Sequence, residues 1–370
     1  MLQVKRLTFV ISSFDLGGAQ RALINMANYW AAQGVEISVI TLNSEDKPFP
    51  YHADARVKLV RLDLLYNSPN LFQGVIHSIK RIIKLRNAIR ESGADAIISF
   101  MDTTNILTIL ASLGLRVPVL VAERTNPMLH KIGWKWELAR RLSYPFSDVL
   151  VVQTKGLLDW ARKIGATKVV AIPNLVLMQK EKCPISDSSS RSIVTLGRLA
   201  PEKRFDHILS AFSLLKDLFP EWTLTICGVG DAHADLVAQS KQLDINNRVF
   251  FPGRIDKVHE ELARHDFFVL SSLYEGFPNA LCEAMACGLP AVSYDCPCGP
   301  NEIIRHEIDG YLVPSGNIAE LANSMERLIE NSSLRRTMQS RACEVSERFS
   351  MELIMNKWEC CIVKAIEGKS

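Results

Sequence analysis

Short apolar runs rich in β-branched residues recur along the chain, and each is followed by a stretch with helical spacing. In the first half the runs fall at residues 7–12, 37–42, 57–62, 96–100, 117–122, 149–153 and 169–172. In the second half they fall at residues 193–196, 224–227, 249–251, 267–270, 291–294 and 311–313. Runs that are apolar throughout, rather than alternating with polar residues, predict strands buried on both faces. Their regular alternation with helices predicts parallel sheets covered by helices on each side. A polar stretch interrupts the rhythm around Lys180, Glu181, Lys182 and Ser188-Ser189-Ser190, where a linker between two such domains is expected. The last helical pattern, residues 351–366, has no strand after it.

The segment after the run at 267–270 carries the strongest chemical signal. It reads Ser271-Ser272-Leu273-Tyr274-Glu275-Gly276-Phe277-Pro278-Asn279-Ala280-Leu281-Cys282-Glu283. A helix is expected over residues 280–287, stopped by Gly288 and Pro290. Glu275 then lies in a strand-to-helix loop and Glu283 in the helix. Eight positions at 3.6 residues per turn is about 800°, which predicts that the two carboxylates point within about 80° of each other. They would face a crevice at the carboxyl end of a parallel strand, where open α/β sheets bind ligands. The amides of Gly276, Phe277 and Asn279 open the helix and suit an anion.

This segment resembles the E-x7-E signature of the retaining glycosyltransferases of family 4. Three more motifs of that family are resembled in the same order. They are Gly197-Arg198-Leu199 followed by Glu202-Lys203, the turn Gly228-Val229-Gly230-Asp231, and the N-terminal loop Gly17-Gly18-Ala19. The resemblance implies the GT-B fold, an α/β class with two Rossmann-like parallel-sheet domains facing a cleft. The expected division is an acceptor-facing and membrane-facing domain over residues 1–176, a linker over 177–192, a nucleotide-sugar domain over 193–345, and a C-terminal helix over 346–370 that crosses back to the first domain.

The resemblance also implies roles. Arg198 and Lys203 would hold the donor diphosphate, whose departure gathers negative charge that cations placed in advance can stabilise. Glu283 would bind the ribose hydroxyls and Glu275 those of the transferred sugar. Arg254 and Ile255 would meet the base through main chain, and Gly17 and Gly18 would let backbone approach a phosphate closely. Asp102, at the end of the strand 96–100, is a candidate for the acceptor hydroxyl, with a helix N-cap as its plain structural alternative. Many relatives carry a histidine where this chain has Arg124. Arginine is no base near neutral pH, so a proton-transfer role there is replaced by binding of a donor phosphate or an acceptor anion. The expected chemistry is metal-independent, with a UDP-sugar as donor, a GDP-sugar as the alternative, and no cofactor. A nucleotide-sugar epimerase on the same fold and an inactive nucleotide-sugar-binding subunit are the competing readings. The absence of G-x-G-x-x-G in the first loop weakens a dinucleotide oxidoreductase.

Composition and charge refine this picture on the acceptor side. The 370 residues, 48% of them hydrophobic, suffice for two cores. No apolar run approaches the roughly 18 residues of a membrane span, and the run after Lys5 and Arg6 is too short for a signal-peptide core. Nine scattered cysteines fit a reducing compartment, so a cytoplasmic location is expected. Cys287, Cys296 and Cys298 lack a fourth ligand with metal-site spacing, which leaves them as thiols.

The net charge of +3 is unevenly spread: residues 1–176 hold 22 Lys and Arg against 13 Asp and Glu, and the remainder 21 against 27. Two stretches carry the excess. Residues 76–90 contain Lys80, Arg81, Lys84, Arg86 and Arg90 beside an apolar stripe of Ile79, Ile82, Ile83, Leu85 and Ile89. Residues 130–141 add Lys131, Trp134, Lys135, Trp136, Arg140 and Arg141. Basic amphipathic helices with tryptophan suit an anionic membrane surface. Together with Ser99-Phe100-Met101-Asp102-Thr103-Thr104-Asn105, the first stretch resembles bacterial transferases that extend glycans on undecaprenyl diphosphate. The implied acceptor is a lipid-linked or surface-polysaccharide glycan, met at the inner face of the cell membrane. Sparse aromatic interleaving argues against nucleic acid.

Overall fold

The computed structural model describes residues 4–13, 17–43, 52–64, 71–177 and 190–369. Of the stretch expected to be a linker, residues 178–189 lie outside this set. The chain separates into two compact units, one built from Met1–Asn174 with Glu352–Ser370, the other from Leu175–Met351.

The first unit contains a seven-stranded parallel sheet. Its strands are β1 (Arg6–Ile11), β2 (Glu36–Thr41), β3 (Val57–Arg61), β4 (Ala96–Phe100), β5 (Val119–Ala122), β6 (Val149–Val152) and β7 (Val169–Ala171), in the order β3-β2-β1-β4-β5-β6-β7. The second contains a six-stranded parallel sheet of β8 (Ser192–Leu196), β9 (Thr223–Cys227), β10 (Val249–Gly253), β11 (Phe267–Leu270), β12 (Ala291–Asp295) and β13 (Gly310–Pro314), in the order β10-β9-β8-β11-β12-β13. Each is a Rossmann-like arrangement. The strands are apolar throughout because helices cover both faces: Phe9, Val10, Ile97, Ile98 and Phe100 in one sheet, and Ile193, Val194, Phe267, Phe268 and Val269 in the other, are fully buried. Each such side chain contributes about 1.5–3 kcal/mol through burial.

Both sheets have one place where the chain reverses its direction of travel across the strands. In the first it lies between β1 and β4, in the second between β8 and β11. The loops that leave neighbouring strands there diverge and open a crevice at the carboxyl ends. The predicted chemical residues fall on the loops that line these crevices. Gly17, Gly18 and Asp102 follow β1 and β4, and the segments 197–203 and 271–278 follow β8 and β11.

The first unit is completed by the helix Met351–Glu367. Its buried residues Ile354, Met355, Trp358, Ile362 and Ala365 repeat at helical spacing. Trp358 stacks on Phe100 at 6.2 Å, and Trp30 Nε1 donates to Glu359 Oε1 at 3.1 Å. Beyond the helix, Lys369 pairs with Asp148 at 2.9 Å.

Two helices of the first unit bear on the expected surface. Helix α1 spans Gly18–Ala32, and α2 spans Leu71–Ser92. On α2 the expected stripe divides. Leu85 and Ile89 are buried, whereas Ile76, Ile79 and Ile83 are 46%, 52% and 55% exposed beside the exposed Lys80 and Lys84. Two of its cations reach main-chain carbonyls of their own unit. Arg81 Nε donates to the Leu64 carbonyl at 2.9 Å, and Arg86 Nη1 to the carbonyls of Ala111 and Leu113 at 2.8 and 2.7 Å. Next come α3 (Asp102–Ser112) and α4 (Trp134–Ser143). The second basic stretch is therefore helical only from Trp134, because the backbone from His130 to Gly133 is irregular and Gly133 takes a φ of 85°. Lys131 precedes the helix and Trp136 is half-buried. Arg140, counted with the basic surface from its spacing, is fully buried. In its place α4 exposes an apolar row of Trp134, Leu138 and Leu142, continued by Phe146.

Candidate active site

In the second unit the loops after β8 and β9 run side by side. Leu199 N donates to Val229 O at 3.0 Å, and Ala232 N to Leu199 O at 3.1 Å. The two main chains press together so closely that a Cβ on Gly228 would sit 1.8 Å from the Gly197 carbonyl oxygen. On Gly230 it would sit 2.3 Å from the carbonyl oxygen of Leu199. Both glycines of the second motif are thus demanded by the main chain of the first, whereas a Cβ on Gly197 itself would meet nothing nearer than Phe205 Cζ at 3.5 Å. Around this double turn lies a pocket of about 720 Å³. Arg198, Glu202, Gly228, Asp231, Arg254 and Ile255 are among its lining residues. Three stretches, residues 196–202, 228–231 and 254–255, are thereby brought to one cavity. Arg198 is largely exposed there and pairs with Glu202 at 2.6 Å, while Arg254 lies 3.3 Å from Asp256.

The next loop is joined to this one because β8 and β11 are neighbours. Lys203 ends a single 3-10 turn, Pro201–Lys203. Leu273 N donates to the Glu202 carbonyl at 2.8 Å, and Ser271 Oγ lies 2.8 Å from the carbonyls of Lys203 and Arg204. These bonds carry Lys203 Nζ to 2.6 Å from Glu275 Oε1, with Ser272 Oγ donating to the same oxygen at 2.7 Å. The pair is mostly shielded, at 24% and 11% exposure. Behind it, burial pushes the Cys296 thiol up to about 12, with the Glu275 charge adding to the effect, so this cysteine stays protonated. Gly299, at a φ of 110°, lets its loop close on the same segment: a Cβ there would lie 2.6 Å from Pro278 Cδ.

Glu283 is the fifth residue of the helix Asn279–Ala286, partly exposed. The helix begins four residues after Glu275, so the angular reckoning across all eight positions does not apply. The loop 275–278, not helical periodicity, sets where Glu275 points. Gly276, Phe277 and Asn279 form the approach to that helix, with Phe277 buried edge-on against Phe349 at 5.4 Å.

In the first unit, Gly17 caps α1 with extended backbone at φ −173°, so no left-handed conformation calls for glycine there. A Cβ would instead meet Gln20 Oε1 at 2.5 Å. Gly18 opens the helix, and the three residues before Gly17 lie outside the described set. Asp102 is the first residue of α3, and the cap position is Met101. Its carboxylate accepts from the Thr103 amide at 2.6 Å and faces His130 and Arg140 at 3.6 and 3.7 Å. Arg124 is packed within the unit. Its guanidinium lies 3.8 Å over the Phe100 ring, Nη1 donates to Asn174 Oδ1 at 2.7 Å, and Nε and Nη2 are sealed from solvent. Burial pushes this side chain down to about 9, so it remains a cation at neutral pH. Sequence spacing had no means of finding His130 beside Asp102, or the shielding of Lys203 by Glu275.

Two family models match the chain. A glycosyl transferase 4-like domain covers residues 17–175, and glycosyl transferases group 1 covers residues 180–345. Among curated proteins, an uncharacterized glycosyltransferase of Haemophilus influenzae is 28% identical over 353 residues, 95% of this chain and 98% of that one. The GalNAc-alpha-(1->4)-GalNAc-alpha-(1->3)-diNAcBac-PP-undecaprenol alpha-1,4-N-acetyl-D-galactosaminyltransferase of Campylobacter jejuni is 28% identical over 363 residues, covering 95% of this chain and 97% of its own. Among solved structures, Anabaena HepE in complex with UDP-glucose superposes with a TM-score of 0.74 at 20% identity, over 98% of this chain and 99% of that one, which shows a shared fold.

Proposed function

Because the chain belongs to the group 1 glycosyltransferases and has the GT-B fold, we propose that it is a retaining enzyme moving a hexose or N-acetylhexosamine from a UDP-sugar to a lipid-linked glycan. The observation that carries this is the convergence of Arg198, Arg254 and Ile255 on one pocket, with Lys203 and Glu275 on the loops beside it. In this reading the base lies against Arg254 and Ile255, and Glu283 binds the ribose. The diphosphate meets Arg198 and Lys203. The transferred sugar meets Glu275 and the amides of Gly276, Phe277 and Asn279. The acceptor oxygen bonds to the anomeric carbon on the face from which the diphosphate departs, and its proton passes to the leaving phosphate oxygen. The two cations counter the charge that gathers there, so the reaction is proposed to need no metal and to survive EDTA.

Replacing Glu283 by Ala should weaken UDP binding by about 2 kcal/mol, the scale of a charge-assisted hydrogen bond. Calorimetry returning the parent affinity would remove Glu283 from the ribose.

The acceptor side rests on the exposed rows of α2 and α4 and on the Campylobacter relative, whose name carries an undecaprenol diphosphate. No helix among the described residues is long and apolar enough to cross a membrane. We place the protein peripherally on the inner membrane face, with Lys80, Lys84, Lys131 and Trp134 toward anionic lipid. Each lysine near such a surface contributes about 1 kcal/mol, screened by salt. Changing Lys80 and Lys84 to Gln should lower binding to phosphatidylglycerol vesicles about 30-fold at low salt and flatten its salt dependence. Sedimentation showing equal binding at low salt would make this a solvated face.

A further inference from the structure

At the carboxyl ends of β4 and β5 a chain of ionisable side chains runs from the core of the first unit to its surface. Tyr144, fully buried, donates to Glu123 Oε1 and receives Asn105 Nδ2 at 3.3 Å. Glu123 is also buried, and Arg140 Nε lies 3.5 Å from its Oε1. The same guanidinium reaches Glu137 Oε2 at 2.9 Å and Asp102 Oδ2 at 3.7 Å. Asp102 Oδ2 in turn lies 3.6 Å from His130 Nε2. The inner end of the chain is sealed, whereas the His130 side chain is 46% exposed and that of Asp102 9%.

Two features mark this as more than a satisfied core network. Glu123 Oε2, Asn105 Oδ1, Thr104 Oγ1, and Arg140 Nε and Nη2 are buried without a hydrogen bond. Met101, immediately before Asp102, takes a φ of 78°, a region that non-glycine residues occupy only when their surroundings impose it. Burying a guanidinium among carboxylates costs desolvation that the ion pairs barely offset, so such a cluster gives orientation rather than stability. The cluster sits in the most cationic half of the chain, yet three carboxylates surround one guanidinium. It therefore disfavours a phosphate and suits a neutral hydroxyl that donates a hydrogen bond.

We propose that His130 and Asp102 form the site for a hydroxyl of the acceptor sugar, with Arg140 and Glu123 as positioning residues that hold Asp102 from behind. This rests on the glycosyl-transfer reading above. His130 is the new contact residue. It is supplied by the loop after β5, six residues beyond Arg124.

The pair also acquires a pH response. Burial pushes the Glu123 carboxyl up to about 7, with Arg140 opposing. The groups facing it are Arg140, Tyr144, Asp102 and Glu137. Below that pH a protonated Glu123 leaves the Arg140 charge to bear on Asp102, which then accepts the hydroxyl less well.

The test uses the full chain, UDP, and a UDP-sugar with a polyprenyl-diphosphate-linked N-acetylhexosamine as acceptor probe. His130→Ala should raise the acceptor KM about 10-fold, the loss of one hydrogen bond to a polar site, while UDP affinity stays within about twofold. His130→Gln, which retains a side-chain donor beside Asp102, should recover part of it. Glu123→Gln should match the parent's acceptor kcat/KM at pH 6 and fall below it at pH 8. An unchanged acceptor KM in His130→Ala, with an active parent, overturns the inference alone. So does a Glu123→Gln profile parallel to that of the parent. A parent that neither binds UDP nor transfers sugar overturns the functional reading and this inference with it.

Discussion

Replacing Lys203 by Ala is expected to lower turnover by about 10²-fold or more. A preorganised cation at a departing diphosphate acts where charge develops, and removing one such group costs roughly 3 kcal/mol of transition-state stabilisation. The geometry adds a second consequence. Lys203 Nζ is 2.6 Å from Glu275 Oε1, so its loss strands a carboxylate that is 11% exposed and keeps the Ser272 hydroxyl as a partner. Lys203→Ala should therefore disturb the sugar site as well as the diphosphate site. Lys203→Met, which preserves the aliphatic stem, should fail to restore turnover, whereas Lys203→Arg should restore a part. Steady-state kinetics alongside a thermal unfolding curve separates lost chemistry from a lost fold. A Lys203→Ala enzyme with near-normal turnover would exclude the lysine from the reaction.

Gly228→Ala should destabilise the second unit by about 3 kcal/mol or more. The new Cβ would lie 1.8 Å from the Gly197 oxygen and 2.9 Å from its carbonyl carbon, and at φ 145° the backbone is one that L-residues avoid. Relief by moving Gly228 would break the hydrogen bond its N–H donates to the Gly253 carbonyl at 2.8 Å, and pull on β10. Gly253→Ala is the contrast. Its φ is 78°, but a Cβ there meets nothing within 4 Å, so only the left-handed strain of about 1–2 kcal/mol remains. With two units in the chain a single melting point is ambiguous. Hydrogen exchange in β8 to β10 reads the unit concerned. Equal protection in the two variants would show that the crowding at Gly228 is absorbed.

Thirteen strands were legible in the sequence because strands buried on both faces are written as unbroken apolar runs. Their ends moved by a residue or two. The motif glycines were legible as turns, but the reason for them was not. Gly228 and Gly197 are 31 positions apart, and only the β8–β9 pairing sets one against the other. The Lys203–Glu275 pair, 72 positions apart, needed the β8–β11 adjacency for the same reason. Helical periodicity failed where it was carried past its element. Glu275 lies ahead of the helix that holds Glu283. Spacing alone also placed Arg140 with the surface cations, although three carboxylates hold its guanidinium in the interior. Charge counts see how many cations a helix carries, not which of them are spent on carbonyls, as Arg81 and Arg86 are.

The return of the last helix to the first unit has a consequence for biosynthesis. Phe100, Trp30 and Asp148 find Trp358, Glu359 and Lys369 as partners only after residues 352–369 have been made. On the ribosome the first unit emerges first but can be completed last, while the whole of residues 175–351 can fold in between. Until residues 352–369 have emerged, the nascent first unit lacks Trp358, its closing tryptophan, against Phe100. A stop near residue 350 would leave the earlier-made unit as the defective one.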